Sequence, residues 1–255
     1  MAGMFSSDDQ MSGKRVMRIF DRTQRVPAFT LVELIVVILI IGVLASFLFP
    51  VFQGILNQAK KTHAKNDVTQ IVTAVNAYYT EYGKYPNDAT SSASVDIFYG
   101  TGTAPSGVTV TATNDKVIDV LSNNTTSTST AGSGGNLVAT LNPRGIVFIT
   151  VPFVKSTTRP MSGVIPAGSA GAGVWYDPWG SPYNVLIDGG YDNQLTNPYT
   201  ANTGAGPGTL RIGICAWSFG KNGARGGGPA ANSSFASESG TANSYNNSSD
   251  VISWQ

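Results

Sequence analysis

Apolar residues run almost without interruption through one stretch of this chain. Residues 29–52 read FTLVELIVVILIIGVLASFLFPVF, and Glu33 is the single charge among them. About 24 residues at 1.5 Å each make a helix of roughly 36 Å, long enough for a hydrocarbon core of about 30 Å. The pattern therefore predicts a membrane-spanning helix. The period then changes. Ile55, Ala59, Ala64, Val68, Ile71, Val72, Val75, Tyr78, Tyr79 and Tyr82 recur at three-four spacing, with Lys60, Lys61, Lys65 and Asp67 on the other side. This predicts an amphipathic stalk helix over residues 53–84, stopped by Gly83 and Pro86. Later apolar runs are short and bounded by turn residues: GIVFITVPF (145–153), YNVLID (183–188), LRIGICAWSF (210–219) and DVISW (250–254). They read as strands. NDKVIDVLSN (114–123) reads as a short helix. The expected class is α+β, with a long N-terminal α-helix (a membrane half plus an amphipathic half) packed on a small antiparallel β-sheet. Residues 85–144 form a variable Ser/Thr/Gly-rich loop region containing the low-complexity NNTTSTSTAGSGG. Residues 145–255 carry the sheet and a C-terminal Gly-rich loop.

Charge sharpens this picture at the N-terminal end. Only 12% of the 255 residues are charged and the net charge is +1, so composition offers nothing to a nucleic acid. Residues 1–28 hold Lys14, Arg15, Arg18, Arg22 and Arg25 against Asp8, Asp9 and Asp21, a basic leader next to the apolar run. Met11 or Met17 is an alternative start. The positive-inside rule keeps that end cytoplasmic and sends the head across the membrane in a single pass. The chain has one histidine, His63, and one cysteine, Cys215. An intrachain disulfide is impossible, and no Ser/His/Asp or Cys/His constellation can be assembled. His63 reads as a solvated stalk residue and Cys215 as a small buried side chain. The composition points away from an enzyme.

Glu33 needs an explanation. A carboxylate at the centre of a bilayer helix costs about 2.5–3.5 kcal/mol, less near an end, and such acids usually have a cationic partner. No Lys or Arg lies in the run, so the partner comes from another chain or from a terminus. A free amino group on Phe29 would lie about one helical turn from Glu33, which requires a cut between Ala28 and Phe29.

AFTLVELIVVILIIGVLA, behind its basic leader, resembles the N-terminal signal of type IV pilins and pseudopilins. The resemblance implies that a prepilin peptidase removes residues 1–28 by cutting between Ala28 and Phe29, then methylates the new Phe29 amine. Ala28 stands where the family usually has Gly. It further implies that Glu33 pairs with the Phe29 amine of a neighbouring subunit during filament assembly. Gly42 and Pro50 stand where family members often carry the same residues. The segment between them either loses helical structure in the filament or tolerates both residues in place. DPWGSPYNV (177–185) and WSFGKNGARGGG…SSDVISW resemble stretches of the G-type major pseudopilins of type II secretion. In those relatives the C-terminal loop binds calcium. Here Asn222, Ser249 and Asp250 stand at the matching positions, with Ser248 and Glu238 nearby; a Gly-rich loop without metal is the alternative. The expected function is a structural subunit of a periplasmic pseudopilus in a type II secretion-like system. Its expected partners are further copies of itself, prepilin peptidase, minor pseudopilins, an inner-membrane assembly platform and membrane lipid. A type IV pilin for adhesion, motility or DNA uptake is the neighbouring reading. A membrane-anchored module gripping a glycan or other ligand through Trp175, Tyr176, Trp179 and Tyr183 is the reading of another class.

Overall fold

The computed structural model describes residues 29–87, 95–102, 104–105, 107–108, 110–125, 134–223, 225 and 244–255. The basic leader, Ala28 and Glu238 lie outside the described residues. The chain divides into two compact units, Met1–Pro50 and Val51–Gln255.

Helix α1 spans Leu31–Tyr82 and contributes residues to both units. In the first unit its described side chains from Leu31 to Phe47 are exposed on every face, Leu31 and Phe47 each by more than 70%. No helix of the described residues is long and apolar enough to cross a membrane. This corrects the expected transmembrane half and the single-pass inner-membrane placement. Helix begins at Leu31 rather than Phe29, and the first turn holds Glu33.

In the second unit the described residues form a five-stranded sheet and two small two-stranded ones. In chain order the strands are β1 (Ile97–Tyr99), β2 (Val110–Ala112), β3 (Gly163–Val164), β4 (Trp175–Tyr176), β5 (Asn184–Ile187), β6 (Leu195–Thr196), β7 (Thr209–Leu210), β8 (Ile214–Ser218) and β9 (Val251–Ile252). The main sheet runs β2-β1-β5-β8-β9. Its pairs are antiparallel except β1 with β2, which is parallel. β5 and β8 register Val185 against Ala216 and Leu186 against Cys215.

Alternation along these strands feeds two cores. Ile97 and Tyr99, Val185 and Ile187, and Ile214 and Ala216 join Ala64, Val68, Ile71, Ala74, Val75 and Tyr78 of α1 in one cluster. Phe98, Leu186, Cys215 and Trp217 pack in another with Leu195, Tyr199, Leu210 and Ile252. A strand buried on both faces reads as a continuous apolar run, which is why NVLI and ICAWS carry no polar alternation. Each large side chain so buried stabilises the fold by about 1.5–3 kcal/mol. The stalk stripe is shorter than its period predicts: Ile55, Ala59 and Tyr79 are exposed, and burial begins at Ala64.

Helix α2 (Asp115–Ser122) forms where the sequence placed it and ends on Asn123 in the left-handed region, φ 54°, whose N–H returns to Asp119 and Val120 carbonyls. Helix α3 (Gly134–Leu141) packs with α2. Tyr78 donates its hydroxyl to the Leu141 carbonyl (2.5 Å) and Tyr82 to Asn142 Oδ1 (2.7 Å), tying the end of α3 to α1. Two strand expectations change. The run 145–153 is not a strand; Phe148 and Ile149 donate their N–H groups to the Leu121 carbonyl, and only Phe153 makes an isolated bridge, to Val164. The run 210–219 is interrupted after Leu210 and resumes at Ile214. Two strands of the main sheet, β1 and β2, come from the Ser/Thr/Gly-rich stretch.

Asn114, 1% exposed, acts as a strand would. Its Nδ2 donates to the carbonyls of Trp175 (3.0 Å) and Tyr183 (2.8 Å), and its Oδ1 accepts the Trp175 N–H (3.1 Å). Asn114→Ala leaves three buried backbone groups without these partners. It is expected to lower unfolding free energy by about 2–4 kcal/mol, read by urea denaturation of the full chain.

Candidate functional site

Three of the expected assembly residues fall in the first unit. Thr30 precedes the first residue of α1 and Glu33 is its third. Glu33 Oε2 accepts from the Thr30 N–H (2.9 Å) and hydroxyl (2.7 Å), while the Glu33 N–H donates to Thr30 Oγ1 (3.2 Å). This is a reciprocal capping box, Thr-x-x-Glu, which satisfies two otherwise orphaned helix-terminal donors. The Thr30 side-chain hydrogen bond, then its backbone one, holds the Glu33 carboxyl below the ordinary carboxylate range. Glu33 thus has an intrachain role that its apolar surroundings concealed, although Thr30 three positions earlier was the visible signal. Gly42 lies within α1 with open space where a Cβ would stand. The helix is continuous through residue 50.

The second unit builds its site around Asp177, which is fully buried. Its Oδ1 accepts three successive N–H groups, from Trp179 (2.9 Å), Gly180 (2.8 Å) and Ser181 (2.9 Å), and its Oδ2 accepts the Ser218 hydroxyl (2.5 Å). The DPWGSP turn is thereby wound round one carboxylate and fixed to the end of β8. Gly180 has φ +102°, a conformation that side-chain-bearing residues rarely adopt. Two residues after Ser181, Tyr183 donates its hydroxyl to Asp67 Oδ2 (2.6 Å), which His63 Nδ1 also approaches at 3.3 Å. Asp67 is 5% exposed and holds the turn against α1, whereas the helical period placed it on the solvated side. His63 remains exposed, as expected, but leans on this carboxylate. Trp175 and Tyr183 are fully buried and Trp179 is 9% exposed, so these rings of the alternative ligand-gripping reading pack in the core. Cys215 is buried in the sheet as expected.

The C-terminal loop brings the expected calcium residues near one another. Asn222 lies in a short 3-10 turn, Gly220–Asn222, and is fully buried. The N–H of Lys221 donates to Ser249 Oγ (2.7 Å), joining that turn to the approach to β9. Gly220 has φ +64°, and a Cβ there would collide with the Ser249 carbonyl. Asp250 is 4% exposed and its Oδ2 accepts the Tyr199 hydroxyl (2.7 Å). Calcium takes six to eight oxygens and gains affinity with ligand charge. The donor set offers one carboxylate, already bonded to Tyr199, and no group of three or more His, Cys, Asp or Glu among the described residues could hold a metal ion. One carboxylate and one amide carry less ligand charge than a tight calcium site uses.

The prokaryotic N-terminal methylation motif matches residues 25–49. The fimbrial protein EcpC of Eikenella corrodens is 30% identical over 141 residues, covering 55% of this chain and 76% of that protein. The chain belongs to the type IV pilin and pseudopilin family. As a member, it is a structural subunit of that family. Type II secretion system core protein G of Pseudomonas aeruginosa is 39% identical over 59 residues, 23% of this chain and 42% of that protein. Type IV major pilin protein PilE1 of Neisseria gonorrhoeae is 38% identical over 64 residues, 25% of this chain and 36% of that protein. The chain thus matches less than half the length of these last two relatives. No solved structure matches this pilin-family chain significantly.

Burial makes this head sensitive to pH. Loss of hydration pushes the Asp177 carboxyl up to about 6, against the hydrogen bonds that favour its charged form. Loss of hydration, and then the charges of Asp188 and Asp192, push Asp96 up to about 6 as well. Both therefore hold protons more tightly folded than unfolded, where the carboxyl value is 3.8. As pH rises from about 4 to about 6 the unfolded chain sheds these protons first, so stability falls across that window. Thermal midpoints of the full chain are expected to drop from pH 4.5 to pH 6.5 through this contribution. Asp96→Asn, which removes the repulsion from Asp188 and Asp192, is expected to flatten the drop.

Proposed function

We propose that this chain is the major subunit of a helical pseudopilus in a type II secretion-like system. In this reading a prepilin peptidase cuts between Ala28 and Phe29 and methylates the Phe29 amine. The carboxylate of Glu33 then pairs with that amine on the neighbouring subunit, and α1 of each copy is covered by α1 of the next. The observation that carries the reading is the first half of α1: apolar and exposed on every side, with its lone carboxylate held at the first turn beside Phe29. An apolar surface this continuous marks an interaction site, and sister helices of the same composition would supply the covering. Gly42 and Pro50 would let this segment adjust its winding as copies pack. Minor pseudopilins and an assembly platform are the further partners.

The turn Asp177–Tyr183 favours secretion, since DPWGSPY is the stretch that resembles the G-type pseudopilins. A surface pilus is the second reading, favoured by the match to fimbrial EcpC over 76% of its length.

The deciding experiment separates the cap from the intersubunit pair. Gln at position 33 keeps the oxygen that accepts from Thr30 but abolishes the charge, whereas Ala removes both. Both Glu33→Gln and Glu33→Ala are expected to reduce sheared or purified filament at least tenfold with unchanged subunit accumulation. The mature N-terminus is expected to be methylated Phe29 by mass spectrometry. Normal filament from Glu33→Gln, or an intact leader on the assembled protein, would overturn the proposal. Loss of secreted folded cargo rather than loss of surface fibres on gene deletion distinguishes pseudopilus from pilus.

A further inference from the structure

We propose that Asp96 and Asp188 hold a calcium ion between the start of β1 and the end of β5, with Asp192 of the following loop adding charge beside it. The inference concerns the head alone and stands whether or not the filament reading does.

Strand register brings the two acids together. β1 and β5 are antiparallel with Ile97 opposite Ile187, so one step further out Asp96 stands opposite Asp188. Residues so placed have Cβ atoms about 4.5–5.5 Å apart on one face of the sheet, and like charges there repel. Asp188 is 1% exposed, and its N–H continues the β5–β8 ladder to the Gly213 carbonyl (2.9 Å). Its Oδ2 accepts the Asn193 N–H (2.7 Å), but its Oδ1, equally withdrawn from water, meets no hydrogen-bond donor. Asp96 is partly buried; of the charges that bear on it Asp188 is the strongest and Asp192 the next, both negative. No lysine, arginine or histidine among the described residues forms an ion pair with any of the three. A buried carboxylate oxygen with neither donor nor counter-charge is costly, and here a second carboxylate stands opposite. A cation between the two removes both penalties.

The loop after β5 has the spacing that calcium loops use. Counted from Asp188, Asp192 is fifth, Asn193 sixth and Gln194 seventh. Calcium loops draw side-chain oxygens from the first and fifth positions, turn sharply at the sixth and offer a carbonyl at the seventh. Asn193 makes that turn in the left-handed region, φ 57°. The third position, Gly190, has no side chain, and Asp96 brings a carboxylate from the neighbouring strand instead. Asp192 is exposed and its Oδ1 accepts the Gln194 N–H (2.9 Å), which sets it at the rim. No three acids converge on one point among the described residues, so two carboxylates carry the ion while loop carbonyls and water complete its shell. Gly189 lets the two segments approach: a Cβ there would collide with the Val95 carbonyl. Such an irregular oxygen set suits calcium, which takes six to eight ligands in flexible geometry, over magnesium, which demands a near-ideal octahedron. The place is distinct from Asn222, Ser249 and Asp250, which lie by β8 and β9.

Calorimetric titration of the full chain with calcium chloride near neutral pH, and its thermal midpoint in millimolar calcium chloride and in EGTA, test this. One site of about 10⁻⁴–10⁻³ M is expected, with a midpoint about 3 °C or more higher in calcium. Asp96→Asn keeps the shape and relieves the repulsion from Asp188. It is therefore expected to match or exceed the parent's midpoint in EGTA, to gain less than about 1 °C from calcium, and to bind it at least tenfold more weakly. Asp188→Asn should lose the calcium gain as well, and Asp250→Asn should keep it. Magnesium should give less than half the gain. Absence of calcium-dependent heat and of a midpoint shift in the parent would overturn the proposal. So would a calcium gain that survives Asp96→Asn, one that Asp250→Asn abolishes, or an equal gain from magnesium. Should Asp188→Asn fail to fold, the Asp96→Asn and Asp250→Asn comparisons decide the matter unaided.

Discussion

The head is organised by two central strands that are apolar on both sides. Val185 and Ile187 of β5 face one way and Leu186 the other; Ile214 and Ala216 of β8 face one way, Cys215 and Trp217 the other. Neither face tolerates water, so each demands a cover. The second half of α1 covers one. The small β6–β7 sheet, Tyr199 and the C-terminal segment with Ile252 and Trp254 cover the other. Buried polar pairs help to hold both coverings. Asp67 and Tyr183 fasten the helix side, while Tyr199 and Asp250 fasten the other.

The first half of α1 is built on the opposite principle. Its side chains are as apolar as those of the core, yet in the single chain nothing covers them. Its order within the chain rests on backbone hydrogen bonds and on the Thr30–Glu33 cap. One acid therefore closes a helix terminus in the monomer and, in the proposed filament, meets a cation from outside. The two roles are compatible because a carboxylate has lone pairs enough for both.

The elements legible in the sequence were those with a local signature. The 3.6-residue period gave α1 from Ala64 onward, NDKVIDVLSN gave α2, and the runs YNVLID and LRIGICAWSF gave β5 and β8. The reading of residues 29–52 as a membrane span overextended hydropathy: the helix starts two residues later than the apolar run, and the described residues contain no helix long and apolar enough to cross a membrane. GIVFITVPF misled for another reason. Its composition is that of a strand, but Val147 and Phe153 are exposed and the backbone bonds go to the end of α2. The strands β1 and β2 were hidden among Ser, Thr and Gly because three-residue strands carry too little pattern to stand out. The Asp67–Tyr183 bond joins residues 116 positions apart, and the Tyr199–Asp250 bond residues 51 apart. No local period announces such pairs. In the C-terminal part the Lys221–Ser249 and Tyr199–Asp250 bonds join segments that no local pattern connects.

The solitary thiol has a practical side. Cys215 sits fully buried in the middle of β8, and loss of hydration, with a further push from Asp96, raises it well above the ordinary thiol range. Thiolate is the reactive form, so this sulfur is shielded both by access and by protonation. The native chain is thus chemically quiet toward maleimides and disulfide reagents. A second cysteine placed on the exposed face of α1 would be the sole responsive one, and bridges formed between neighbouring copies would map which helix positions meet without any background from the head.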